Sequence, residues 1–184
     1  MTELSETSLL LGSHWPTVLD IERAREHLDE ELLALLLSME STLAQQDWWS
    51  RQWTFRQYRR EIFIGNTKWQ DAEGHWPLWM GIYGFDGDHV FGPLTPPIFY
   101  FRCRKNYDTL GDVLREKLRA EGHEVLEDHR HLVHRAVLQC PADRAAVASY
   151  PAQAREQMLA LFTEYVDFAM RHEDVVRAHI KREA

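Results

Sequence analysis

Four of the ten histidines fall between His123 and His134, interleaved with the acids Glu124, Glu127 and Asp128 and preceded by Glu121. The group is completed by His129 and His131. If Glu127–His131 ran on as a strand, Glu127, His129 and His131 would share one face, because strand side chains alternate. Three nitrogen and oxygen donors at that spacing suit a divalent metal, and a metal-bound water serves as nucleophile in hydrolases and nucleases. Asp128–Arg130 also has the composition of an exposed turn, where alternation fails and donors splay apart. Both readings stand: a solvated hairpin, or a metal-dependent hydrolase or nuclease built on residues 121–134. The carboxylate pairs Asp71/Glu73 and Asp86/Asp88 lie in turn-like sequence, and no spacing ties them to Glu61 and Lys68 as a second metal site. Cys103 and Cys140 form no CxxC pair and read as buried thiols. No P-loop, GxGxxG, GxSxG or HExxH motif occurs. No cofactor and no tightly held metal are expected.

A second grouping suits binding rather than catalysis. Fifteen of the 21 aromatic residues lie between Trp48 and Phe101, among them six of the seven tryptophans. Within this block, Trp48–Arg60 interleaves aromatics with four arginines and holds no acid. Guanidinium groups pair with carboxylate or phosphate, and aromatic rings stack on bases. The segment could meet an acidic protein surface or single-stranded nucleic acid. Equally, its rings could be core, with arginine stems packed alongside and heads in water.

Charge sharpens the contrast. The net charge is −8, yet residues 48–105 carry five acids against eight bases, while residues 1–47 carry ten acids against two bases. An acidic chain repels phosphate, so a protein partner is the expectation and nucleic acid the lesser possibility. The candidate contact residues are Glu22, Glu26, Glu30 and Glu40 on an acidic helix face. Trp49, Arg51, Trp53, Arg56 and Arg59 complete the set from the aromatic segment.

These residues must be positioned by an α+β fold. Residues 1–16 read as an N-terminal arm and 17–184 as a single α+β domain. Pro16 and Thr17 open a long helix, with Thr17 and Asp20 at capping-box spacing. Its apolar stripe is Ile21, Ala24, Leu28, Leu32, Leu35, Leu36, Met39 and Leu43, at steps of three and four. Asp29 is a candidate break. Strands are expected at Glu61–Gly65, Leu78–Tyr83 and Ile98–Cys103. Asp86-Gly87 has the composition of a hairpin turn returning through Val90–Phe91. Asp108 should cap a helix over Thr109–Glu121 that ends at Gly122. Glu124–Leu126 and Leu132–Leu138 read as strands joined through Glu127–His131. A short helix from Pro141 to Ser149 and a last helix over Ala152–Lys181 follow. That last helix bears the stripe Met158, Leu161, Phe162, Tyr165, Ala169, Val175 and Val176, long enough to suggest a homodimer face.

The mostly antiparallel sheet is thus framed by a long N-terminal, a middle and a long C-terminal helix. This element order resembles that of small acidic secretion chaperones, which are often dimers. With no apolar run of membrane length and no basic leader, the expectation is a small acidic cytoplasmic protein. It would act by binding a protein, as an inhibitor, immunity or chaperone-like factor.

Overall fold

The computed structural model describes residues 5–125 and 131–183, apart from the side chains of Leu9, Arg144 and residues 181–183. The fold is α+β. One antiparallel sheet contains β1 (Trp53–Tyr58), β2 (Glu61–Asn66), β3 (Leu78–Tyr83), β4 (Ile98–Cys103) and β5 (Leu132–Val137), laid side by side in chain order. The helices are α1 (Glu6–Ser13), α2 (Trp15–Ala44), α3 (Gly87–Val90), α4 (Asp108–Ala120), α5 (Arg144–Val147), α6 (Tyr150–Arg171) and α7 (Glu173–Glu183). Among the described residues, no helix is long and apolar enough to cross a membrane.

Strand alternation divides the sheet into two unlike faces. One face presents Ile62, Ile64, Met80, Ile82, Phe99, Phe101 and Cys103, all fully buried. Against them pack Leu36, Met39 and Leu43 of α2, Leu110, Leu114 and Leu118 of α4, and Met158, Phe162, Tyr165 and Ala169 of α6. Phe99 meets Phe162 and Tyr165 at ring separations of 5.5 and 5.1 Å. Each of the large aliphatic and Phe side chains here contributes roughly 1.5–3 kcal/mol by leaving water, so this layer supplies most of the driving force.

The tryptophans at the start of the block seal one end of that core. Trp48, Trp53 and Trp69 form an edge-on chain, and Trp69 is fully buried. Trp48 donates its Nε1–H to Thr163 of α6 at 3.2 Å, which pins the lead-in to β1 against the C-terminal helix.

Several local expectations are corrected. Within the expected N-terminal arm, α1 occupies Glu6–Ser13. Helix α2 starts at Trp15, with Pro16 in its first turn and no side-chain cap, so Thr17 and Asp20 do not form a capping box. It also runs unbroken through Asp29. Asp29 faces inward and accepts the Gly87 N–H at 2.8 Å while pairing with Arg60 at 2.8 Å. Its carboxylate is thus satisfied by tertiary partners instead of competing for the helix backbone.

Asp86-Gly87 is not a hairpin turn. Asp86 caps α3, accepting the N–H groups of Asp88 and His89 at 3.1 Å each. The tight turn is instead Arg59–Arg60 between β1 and β2, where Arg59 takes a φ of 54°. Asp108 is the first residue of α4 and not its cap, whereas Gly122 follows the helix at a φ of 88°. Glu124 and Val125 are not in a strand, and Leu126 lies outside the described residues. The helix expected from Pro141 is only α5, capped by Asp143. The C-terminal helix divides at His172 into α6 and α7.

Candidate functional site

The second face of the sheet stays in contact with solvent. Arg56, Tyr58, Tyr83, Arg102 and Val137 are all exposed. The register places Arg56, Phe63, Gly81, Tyr100 and Arg135 in one straight row across all five strands. Trp79 and Arg102 face each other in the neighbouring row. Thus the basic residues that the linear sequence scatters over eighty positions share one surface with the aromatics.

Two glycines hollow this surface. A Cβ at Gly65 would stand 2.3 Å from the Trp76 ring, so the indole can lie against β2 only because residue 65 has no side chain. A Cβ at Gly81 would stand 2.5 Å from the Tyr100 hydroxyl. The loop that delivers Trp76 is knotted by Asp71, whose Oδ1 accepts the N–H groups of His75 and Glu73 at 2.8 and 3.1 Å. Burial raises the Asp71 carboxyl, but these two backbone bonds, together with the charges of His75 and Arg104, hold it below the usual carboxylate range. Arg104 approaches the other oxygen at 3.7 Å.

Guanidinium groups cover the rings. Arg56 lies 5.2 Å from the centre of Trp76, and Arg102 lies 4.9 Å from Trp79. Phe63 meets Trp76 edge-on at 6.1 Å. A cation over an aromatic face gains roughly 0.5–1 kcal/mol at exposed sites. This contact orders each arginine while leaving its N–H edge open to an anion.

Two hollows adjoin. One, of about 330 Å³, is lined by Arg56, Phe63, Gln70, His75, Trp76, Trp79 and Arg104. The other, of about 480 Å³, shares Arg56, Phe63 and Trp79 and reaches Glu61 and Arg102. Glu61 is the acid in these linings, and it already accepts the Tyr100 O–H. Burial and that bond push the Tyr100 phenol well up, so it stays a donor throughout the physiological range. The arrangement is suited to holding an anion beside flat apolar groups.

The residues singled out from sequence divide between surfaces. Arg51, Arg56 and Arg59 are exposed, and Arg56 belongs to the open face. Trp53 is only 6% exposed and Trp49 packs partly against the core, so a partner could not reach the Trp53 ring. Glu22, Glu26, Glu30 and Glu40 are exposed along α2, whose buried stripe packs into the core. Trp79, Trp76, Phe63, Arg102 and Arg104 were not among the candidates. Alternation within Ile98–Cys103 could have pointed Arg102 outward, but nothing local marks Trp76.

The histidine–acid group is dispersed over several partners. Glu121 bonds His172 at 2.9 Å and Arg171 at 2.6 Å, and these two hold its carboxyl below the usual range. His123 lies 3.5 Å from Glu164, His131 lies 2.8 Å from Asp108, and His134 stacks on Tyr165 at 4.7 Å. Glu124 is exposed; Glu127, Asp128 and His129 lie outside the described residues. Among the described residues, no group of three or more His, Cys, Asp or Glu side chains is placed to hold a metal ion.

No family model, curated protein or solved structure matches this chain, so the likeness in element order to secretion chaperones gains no support from them.

Proposed function

We propose that this chain is a non-catalytic cytoplasmic binding protein that holds an acidic segment of a protein partner across its open sheet face. The observation that carries this reading is the convergence of Arg56, Arg102, Arg104 and Arg135 with Phe63, Trp76 and Trp79 on one surface. Carboxylates suit such a surface because guanidinium edges pair with them in a planar, bidentate way. Stacked bases suit it less well. The rings of Trp76 and Trp79 already lie under arginines, and Trp76 also rests on β2, so few free ring faces remain as platforms. The exposed acids of α2 repel an acidic segment from the rest of the molecule and so favour the basic face.

The test is a titration of the full chain with a glutamate-rich peptide and with single-stranded oligonucleotides, at low and physiological salt. We expect the peptide to bind, its affinity to fall with salt, and binding to vanish in an R56E/R102E variant that melts normally. Oligonucleotide binding that persists at physiological salt and exceeds that of the peptide would reverse the reading in favour of nucleic acid.

A further inference from the structure

We infer that the hollow between Arg56, Trp76 and Arg104 is a pocket for a carboxylate carried on a flat apolar body. The choice of carboxylate rests on reading the open face as a surface for acidic partners. The pocket does not require that the ligand be a polypeptide.

The pocket lies between the open sheet face and the loop 70–76 that folds over it. Gly65 makes room for the Trp76 indole, and Asp71 fixes the loop that brings it there. Its volume of about 330 Å³ is at the small end for ligand sites, which fits one ring-sized group and not a long chain. Phe63, Trp76 and Trp79 give it apolar walls, by ring edges where a ring face is already covered, and these suit an apolar guest.

Two cations stand at this apolar space. Arg56 is exposed and lies over the ring of Trp76. Arg104 reaches Asp71 at only 3.7 Å, and the same Asp71 oxygen also accepts from Tyr107 at 3.4 Å, so the carboxylate neutralises the guanidinium weakly. Trp76, which also lines the hollow, has its Nε1–H buried without an acceptor. An unmet buried donor is costly, so a ligand oxygen that reached it on rearrangement of the pocket would bind more tightly. Apolar walls, two guanidinium groups and a vacant indole donor together describe a carboxylate attached to a ring. That chemistry comes from two sources: a free aromatic acid, or the chain-terminal aromatic residue of a partner.

The experiment is nitrogen–proton NMR on the full chain, following the Trp76 indole signal, which is identified by its loss in W76F. Four probes are titrated: phenylacetate, phenylacetamide, an N-acetyl-Gly-Gly-Phe peptide with a free carboxylate, and its C-terminal amide. We expect the carboxylates to move the Trp76 signal and the amides to leave it in place. R56Q and R104Q should each weaken carboxylate binding about tenfold, as for a charge-assisted hydrogen bond. Response to the peptide acid alone identifies a partner's chain end, whereas response to phenylacetate identifies a free acid as sufficient. R102Q lies outside this hollow and should weaken a glutamate-rich peptide while leaving phenylacetate unaffected. A Trp76 signal that no carboxylate moves at millimolar concentration, or that the amides move equally, overturns the inference. If glutamate-rich peptide binding then still depends on Arg102, the pocket fails and the open-face reading survives. If neither class of probe binds, both fail.

Discussion

Gly81 has no slack: a Cβ there would lie 2.3 Å from the Ile62 carbonyl oxygen, which is backbone and cannot turn aside. Gly81→Ala is therefore expected to cost about 1–3 kcal/mol, as overpacking does, measured as a lower urea midpoint. Gly65→Ala meets only the Trp76 ring, so we expect it to displace that ring and fill the hollow at a smaller cost in stability. Neither glycine announces its role in the sequence, because its close neighbour arrives from a distant position. For Trp79, truncation to Ala would cost roughly 3–5 kcal/mol if the ring were in the core. It is half-buried on the open face, and we expect a clearly smaller loss. Its orientation was hard to foresee, since apolar residues occupy both faces of Leu78–Tyr83. His134 offers a pH signature. Burial, then the charge of neighbouring His123, lowers its pKa below the ordinary value of about 6.5. A depressed histidine leaves stability intact above the unfolded-state value and removes it as pH falls below that point. Chemical denaturation from pH 7.5 to 5.5 should show this decline, and His134→Gln should flatten that contribution.

At the level of elements, Asp29 joins three of them. It sits in α2, accepts the N–H that opens α3 and pairs with the turn between β1 and β2. Asp29→Ala should destabilise the fold by about 1–3 kcal/mol through the donor it strands, and Asn, which keeps one acceptor, should recover part of the loss. A thermal melt of both variants checks this. Helix positions were legible because α2 and α4 repeat apolar residues at the helical period, and the buried stripe Leu32, Leu35, Leu36, Met39 and Leu43 follows the sequence pattern. The same pattern failed at Ile21, which is 63% exposed: periodicity reports which side of a helix is apolar but not where its support ends. The strand β1 was hidden for a related reason. Trp53–Tyr58 mixes core and open-face residues with arginines, and the positive φ of its turn falls on Arg59, a residue type that gives no turn signal.

The whole molecule separates its charge, with acids along α2 and arginines gathered on the sheet, while the helix layer lies on the opposite side. The fold class was legible because the order of apolar periods was; the open face was not, because its members converge only through strand register. The apolar stripe of the C-terminal helix had suggested a homodimer. Met158, Phe162, Tyr165, Ala169 and Val176 are in fact covered within this chain. Phe162→Ala should therefore lower stability by about 3–5 kcal/mol and leave the mass in light scattering unchanged. Exposed apolar residues include Leu10, Leu11, Trp15 and Ile21 near the N-terminal end and Met170 on α6. The chain-order sheet also bears on how quickly the molecule reaches its native state. Each hairpin joins neighbouring segments and can close early, whereas α2 and α6 meet from opposite ends of the sequence and pack late. In stopped-flow refolding, Ile64→Val should chiefly slow folding, while Leu36→Ala or Met158→Ala should chiefly hasten unfolding.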